Sequence, residues 1–114
     1  MRKSEIKFVI ELDNQNVPEK IFWDATEKNP AGPEETKAFC LALWDNPHLS
    51  TLKIDLWAKD MPVDDMKRFY IEAIGGMAES LMKATGDETM VNEINDLCDR
   101  LGKYLETSTK QQKR

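Results

Sequence analysis

Two stretches of strict alternation constrain this chain more than any other feature. Ile6, Phe8, Ile10 and Leu12 alternate with Lys7, Val9 and Glu11, and Leu52, Ile54, Leu56 and Ala58 alternate with Lys53, Asp55 and Trp57. A period of two puts the members of each set on opposite sides of an extended backbone, so both stretches predict strands with one face buried. Between them, Asp13-Asn14-Gln15-Asn16-Val17-Pro18 has turn chemistry, and Ile21, Phe22, Trp23 and Ala25 supply another strand. The separation is short enough to predict an antiparallel hairpin. The breaker-rich run Thr26 to Pro33 reads as a loop.

Three further segments predict helices. Pro33-Glu34-Glu35 suits a first turn, and Ala38, Phe39, Leu41, Ala42, Leu43 and Trp44 supply an apolar surface that Asn46-Pro47-His48 stops. Asp60 stands before Met61-Pro62 as a cap, with Asp64 and Asp65 in the first turn. Met66, Phe69, Tyr70, Ala73, Ile74, Met77, Leu81 and Ala84 then follow at helical spacing up to Gly86. Asp87 caps the last helix, whose stripe is Met90, Val91, Ile94, Leu97, Cys98, Leu101, Tyr104 and Leu105. The order β-β-α-β-α-α predicts an α+β fold, a three-stranded antiparallel sheet with its first strand central and three helices packed on one face. In 114 residues without a repeat, this gives a single domain over 1–106 and a disordered polar tail over 107–114.

Charge and composition narrow the partners. The chain carries a formal −5, and residues 33–102 hold 7 basic against 14 acidic side chains. Such a body repels phosphate backbones, so nucleic acid is not the expected partner. No apolar run approaches the ~20 residues of a membrane helix, so the chain is not expected to span one. No apolar segment follows the basic start, which argues against a secretory leader. Two cysteines make no disulfide framework, and a reducing cytoplasm follows.

Catalytic chemistry has little to build on. His48 is the only imidazole and has no nucleophile motif around it. Cys40 is placed on the first helix and Cys98 on the last, in core-facing or half-buried positions. Asp60, Asp64 and Asp65 offer oxygen ligands, but capping and the helix dipole account for all three. Gly75-Gly76 interrupts a helix with no phosphate-loop pattern, and predicts close packing or a kink. Trp23 and Trp44 are assigned to the core or its margin. The expectation is therefore no catalytic residue, no cofactor and no metal.

The alternation also defines what points away from the helices. Val9, Phe22 and Trp57 share the open sheet face with Lys7, Lys20, Lys53, Glu11, Asp24 and Asp55. Aromatic residues ringed by charge have the composition of an interface anchor, although cross-strand aromatics also stabilise a sheet without any partner. Val9, Phe22, Trp57, Lys53 and Asp55 are the candidate partner-binding residues, and a homodimer through this sheet face is a possible form of it.

The run Leu52-Lys53-Ile54-Asp55-Leu56-Trp57-Ala58-Lys59-Asp60-Met61-Pro62-Val63-Asp64-Asp65-Met66-Lys67 resembles the signature of the gliding-motility-associated GldC family. Lys3-Ser4-Glu5-Ile6-Lys7, Glu11-Leu12-Asp13 and Val17-Pro18-Glu19-Lys20-Ile21-Phe22-Trp23 resemble that family's N-terminal hairpin, and Asp99-Arg100-Leu101 its last helix. The similarity spans residues 3–105. It implies a small cytoplasmic accessory protein of the motility machinery with no enzymatic activity, acting through protein partners. A different reading is a small-ligand-binding or regulatory domain with a pocket between sheet and helices.

Overall fold

The computed structural model describes residues 2–112. The order is β1 (Ile6–Leu12), β2 (Pro18–Ala25), β3 (Glu34–Thr36), β4 (Ala38–Asp45), β5 (Ser50–Trp57), α1 (Val63–Thr85) and α2 (Glu88–Gln112). The chain divides into two compact units, one ending at Met61 and one starting at Pro62.

In the first unit, β1, β2 and β3 form an antiparallel sheet in that order, and β4 and β5 form a separate two-stranded ribbon. The β1–β2 hairpin closes as its residues require. Asn16 takes a positive φ of 63°, and Asp13 Oδ1 accepts from Gln15 N at 2.8 Å and Val17 N at 3.0 Å. Its register sets Phe8 opposite Trp23 and Ile10 opposite Ile21 on one face. The run from Glu34 to Asp45 passes from pairing with β2 to pairing with β5 at Lys37. Beyond that point Phe39 stacks on Phe8, with ring centroids 4.3 Å apart. Ile21 is completely buried, and Ala38 and Ala58 are buried with it.

The loop before β3 is held by Lys28. Its side chain is only 3% exposed, and its ammonium donates to Pro30 O, Gly32 O and Glu34 Oε1 at 2.6–2.7 Å. The same ammonium lies 5.2 Å from the centre of the Trp23 ring, a cation–π contact that places Trp23 at the core margin.

In the second unit α1 and α2 pack as an antiparallel pair. Gly86 ends α1 in the left-handed conformation at φ 69°, with its N–H on Met82 O. Asp87 Oδ1 accepts from Met90 N at 3.1 Å and caps α2 as its sequence position predicts. Ala78 of α1 and Val91 of α2 are buried, and Ile94, Cys98, Leu101 and Leu105 are half-buried along α2. α2 continues to Gln112, into the segment read from sequence as a polar tail, while residues 113 and 114 lie outside the described residues.

The α+β class holds, but the element count does not. There are two helices and two sheets, not three helices on one three-stranded sheet. The segment expected as the first helix is β3 and β4. Residues 38–44 are apolar throughout, so period alone does not separate helix from strand there. Phe39, Leu41 and Leu43 each meet an apolar partner, Leu56, Ile54 and Leu52, and this cross-strand pairing outweighs the helix propensity of Ala and Leu. The strand order is corrected too. β2 is the central strand of its sheet, and β5 pairs with β4 instead of returning beside β1. Cys40 therefore sits on β4, and Trp44, expected in the core or at its margin, is 63% exposed near the ribbon tip. At Gly75–Gly76, an added Cβ on Gly75 meets Cys98 Sγ at 3.9 Å and one on Gly76 meets nothing, so neither position is forced by close packing.

Candidate interaction surface

The ribbon β4–β5 has two unlike faces. Phe39–Leu56, Leu41–Ile54 and Leu43–Leu52 make one face wholly apolar. Ala38–Trp57, Cys40–Asp55, Ala42–Lys53 and Trp44–Thr51 make the other. On the apolar face burial falls from root to tip. Phe39 and Leu56 are half-buried, while Leu43 and Leu52 are exposed. Leu49 in the connecting turn is 74% exposed and has φ 48°, a left-handed backbone that a bulky side chain rarely adopts. On the second face Lys53 Nζ lies 3.2 Å from Asp55 Oδ2, and the Trp57 ring beside them is 51% exposed.

The root of the ribbon is clamped by charge. Lys59 Nζ donates to Asp13 Oδ2 at 2.9 Å and lies 3.6 Å from Glu19. That ammonium, with the two turn N–H groups, lowers the Asp13 carboxyl to a pKa of about 2. Asp13 in turn raises Lys59. Lys37 bonds Asp60 at 3.0 Å and Glu35 at 3.1 Å; it lowers Asp60, and Asp60 first and Glu35 second raise Lys37. Asp60 is thus tied to Lys37, where the chain passes from β3 to β4. It does not cap α1, whose N-cap is Pro62 with no side-chain cap bond.

The five candidate residues fall into two groups. Val9 stands opposite Phe22 in the three-stranded sheet, flanked by the opposite-charge pairs Lys7–Asp24 and Glu11–Lys20. Lys53, Asp55 and Trp57 share one face of the ribbon. Each group is as the alternation predicts, but the two lie in different sheets, because β5 does not join β1. Trp44 belongs to the ribbon face and escapes a sequence reading that makes residues 38–45 a helix. The signal for it is two eight-residue segments, one nearly all apolar and one alternating, joined by Asn46-Pro47-His48-Leu49. His48 bonds Asp45 Oδ2 at 2.9 Å in this exposed turn. Among the described residues, no cluster of three or more His, Cys, Asp or Glu is placed to hold a metal ion.

The ribbon, its clamp residues Lys59 and Asp60, α1 and most of α2 lie within residues 18–107, which match the model of the gliding motility-associated protein GldC-like family. The chain belongs to the GldC-like family. Of the strands and helices described, β1 alone precedes the matched span of this GldC-like chain. The family carries an association with gliding motility. No curated protein and no solved structure matches the chain. Among the described residues, no helix is long and apolar enough to cross a membrane.

Proposed function

We propose that this chain is a non-enzymatic, cytoplasmic accessory protein of the gliding machinery that works through protein contacts. The contact surface is the ribbon face of Lys53, Asp55 and Trp57, with the Val9–Phe22 pair of the other sheet as a second patch. The observation that carries this reading is Trp57. A large aromatic ring stands half exposed beside an ion pair, the composition of an interface anchor. Membership of a motility family supplies the setting.

The test is complementation of a gliding strain lacking this protein. Trp57→Ala is expected to abolish or strongly reduce colony spreading while its abundance and melting temperature stay close to wild type. Capture with the wild-type chain should retain motility proteins that Trp57→Ala with Phe22→Ala loses. Normal spreading with Trp57→Ala, or loss of spreading that tracks loss of folding, would overturn the reading.

A further inference from the structure

β5 is a sheet edge. Its inner side pairs with β4, and no strand pairs with its outer side among the described residues. Ala58 N donates to Lys37 O at 2.8 Å in the continued register of the ribbon. Antiparallel ladders alternate hydrogen-bonded and non-bonded pairs. Leu52, Ile54 and Leu56 therefore turn their backbone groups toward β4, and Thr51, Lys53, Asp55 and Trp57 turn theirs outward. Lys59 N, next in the outward series, donates to Pro18 O at 2.9 Å and marks where the open edge ends.

We propose that this edge pairs antiparallel with the same edge of a second copy, about a twofold axis at Ile54. Charge selects the register. A twofold at Lys53 sets two ammonium groups opposite each other, and a twofold at Asp55 sets two carboxylates opposite each other. Only between them, at Ile54, does Lys53 of each copy face the second copy's Asp55, with Thr51 facing Trp57 at both ends. This register also joins outward-facing residues to outward-facing residues, as a bonded ladder requires. Within one chain Lys53 and Asp55 already reach each other at 3.2 Å, so both heads lie on one side of the sheet, and the pairing brings a further opposite charge beside each. On the apolar side, exposed Leu52 of each copy lands beside the second copy's half-buried Leu56, and the two half-exposed Ile54 side chains meet on the axis. A lone Lys on an edge strand deters such pairing. A Lys with an Asp two residues on is self-complementary across a twofold. The pairing uses β5 alone and needs no motility protein, so it stands or falls separately from the motility reading.

The experiment is molar mass by sedimentation or light scattering across a concentration series, with amide hydrogen exchange. The wild type is expected to reach twice the 13.1 kDa chain mass and to protect the amides of Thr51, Lys53, Asp55 and Trp57 in that form. Lys53→Asp leaves two acids on the edge and Asp55→Lys two lysines, so each alone is expected to be monomeric. An equimolar mixture of the two, or the double exchange in one chain, should restore the dimer. A wild type of single-chain mass at every concentration overturns the proposal. So does a dimer that survives both single reversals, or one whose four outward amides exchange as fast as in the diluted monomer. Should a variant not fold, exchange on the wild type at high and low concentration decides the matter alone.

Discussion

The Lys59 ammonium donates to Asp13 Oδ2 at 2.9 Å and joins the β1–β2 turn to the end of the ribbon, 46 residues along the chain. The Asp13 pKa falls from 3.8 to about 2 in the folded protein. A depressed carboxylate contributes stability that is complete above its unfolded value and is lost as pH falls through its folded value. The melting temperature should therefore drop as pH is lowered from 3.8 toward 2. Asp13→Asn should melt below wild type at neutral pH, and the gap should narrow over that same window. Thermal melts of both proteins against pH check this.

Gly76 lies inside α1 and an added Cβ there meets nothing. Gly76→Ala should stabilise the helical unit by about 1 kcal/mol, because it removes unfolded-chain entropy at no steric cost. Gly86 is opposite in sign. At φ 69° it holds the left-handed cap, and Gly86→Ala should cost roughly 1 kcal/mol. Denaturant unfolding of the two variants separates the cases.

Ile21 is wholly buried, while Ile54 is half exposed. Ile21→Ala should cost about 3 kcal/mol through lost burial and a residual cavity, against about 1 kcal/mol or less for Ile54→Ala measured where the chain is monomeric. Equal losses would mean that the ribbon face is covered within the monomer.

Lys28 satisfies two carbonyls and the Glu34 carboxylate from a nearly buried position. Lys28→Met keeps most of the volume and removes the donor, so it should cost about 2 kcal/mol from the acceptors left behind. Urea unfolding at neutral pH gives the value.

Leu49 has a left-handed backbone and a side chain in solvent. Leu49→Asn suits that conformation better and should raise stability by about 0.5–1 kcal/mol. A drop in stability would mean that the Leu side chain is held by contacts at the ribbon tip.

Local pattern made much of this protein legible. Alternation located β1, β2 and β5 and sorted Lys53, Asp55 and Trp57 onto one face, because side-chain direction along a strand depends only on position. Turn and cap chemistry located the Asp13 turn, the Gly86 stop and the Asp87 cap, because those bonds close within a few residues. The sequence alone also contained the charge order that makes β5 self-complementary.

Tertiary structure decided what local pattern leaves degenerate. Residues 38–44 are apolar whichever way they fold, and they become a strand because Leu52, Ile54 and Leu56 stand opposite Phe39, Leu41 and Leu43. The partners of Asp60, Lys59 and Lys28 were likewise settled by chain segments brought together in space; a capping position and an ion-pair position look the same in one dimension. Which strand lies beside which follows from the turn of the chain at Lys37, and that turn placed Val9 and Phe22 in one sheet and Trp57 in another.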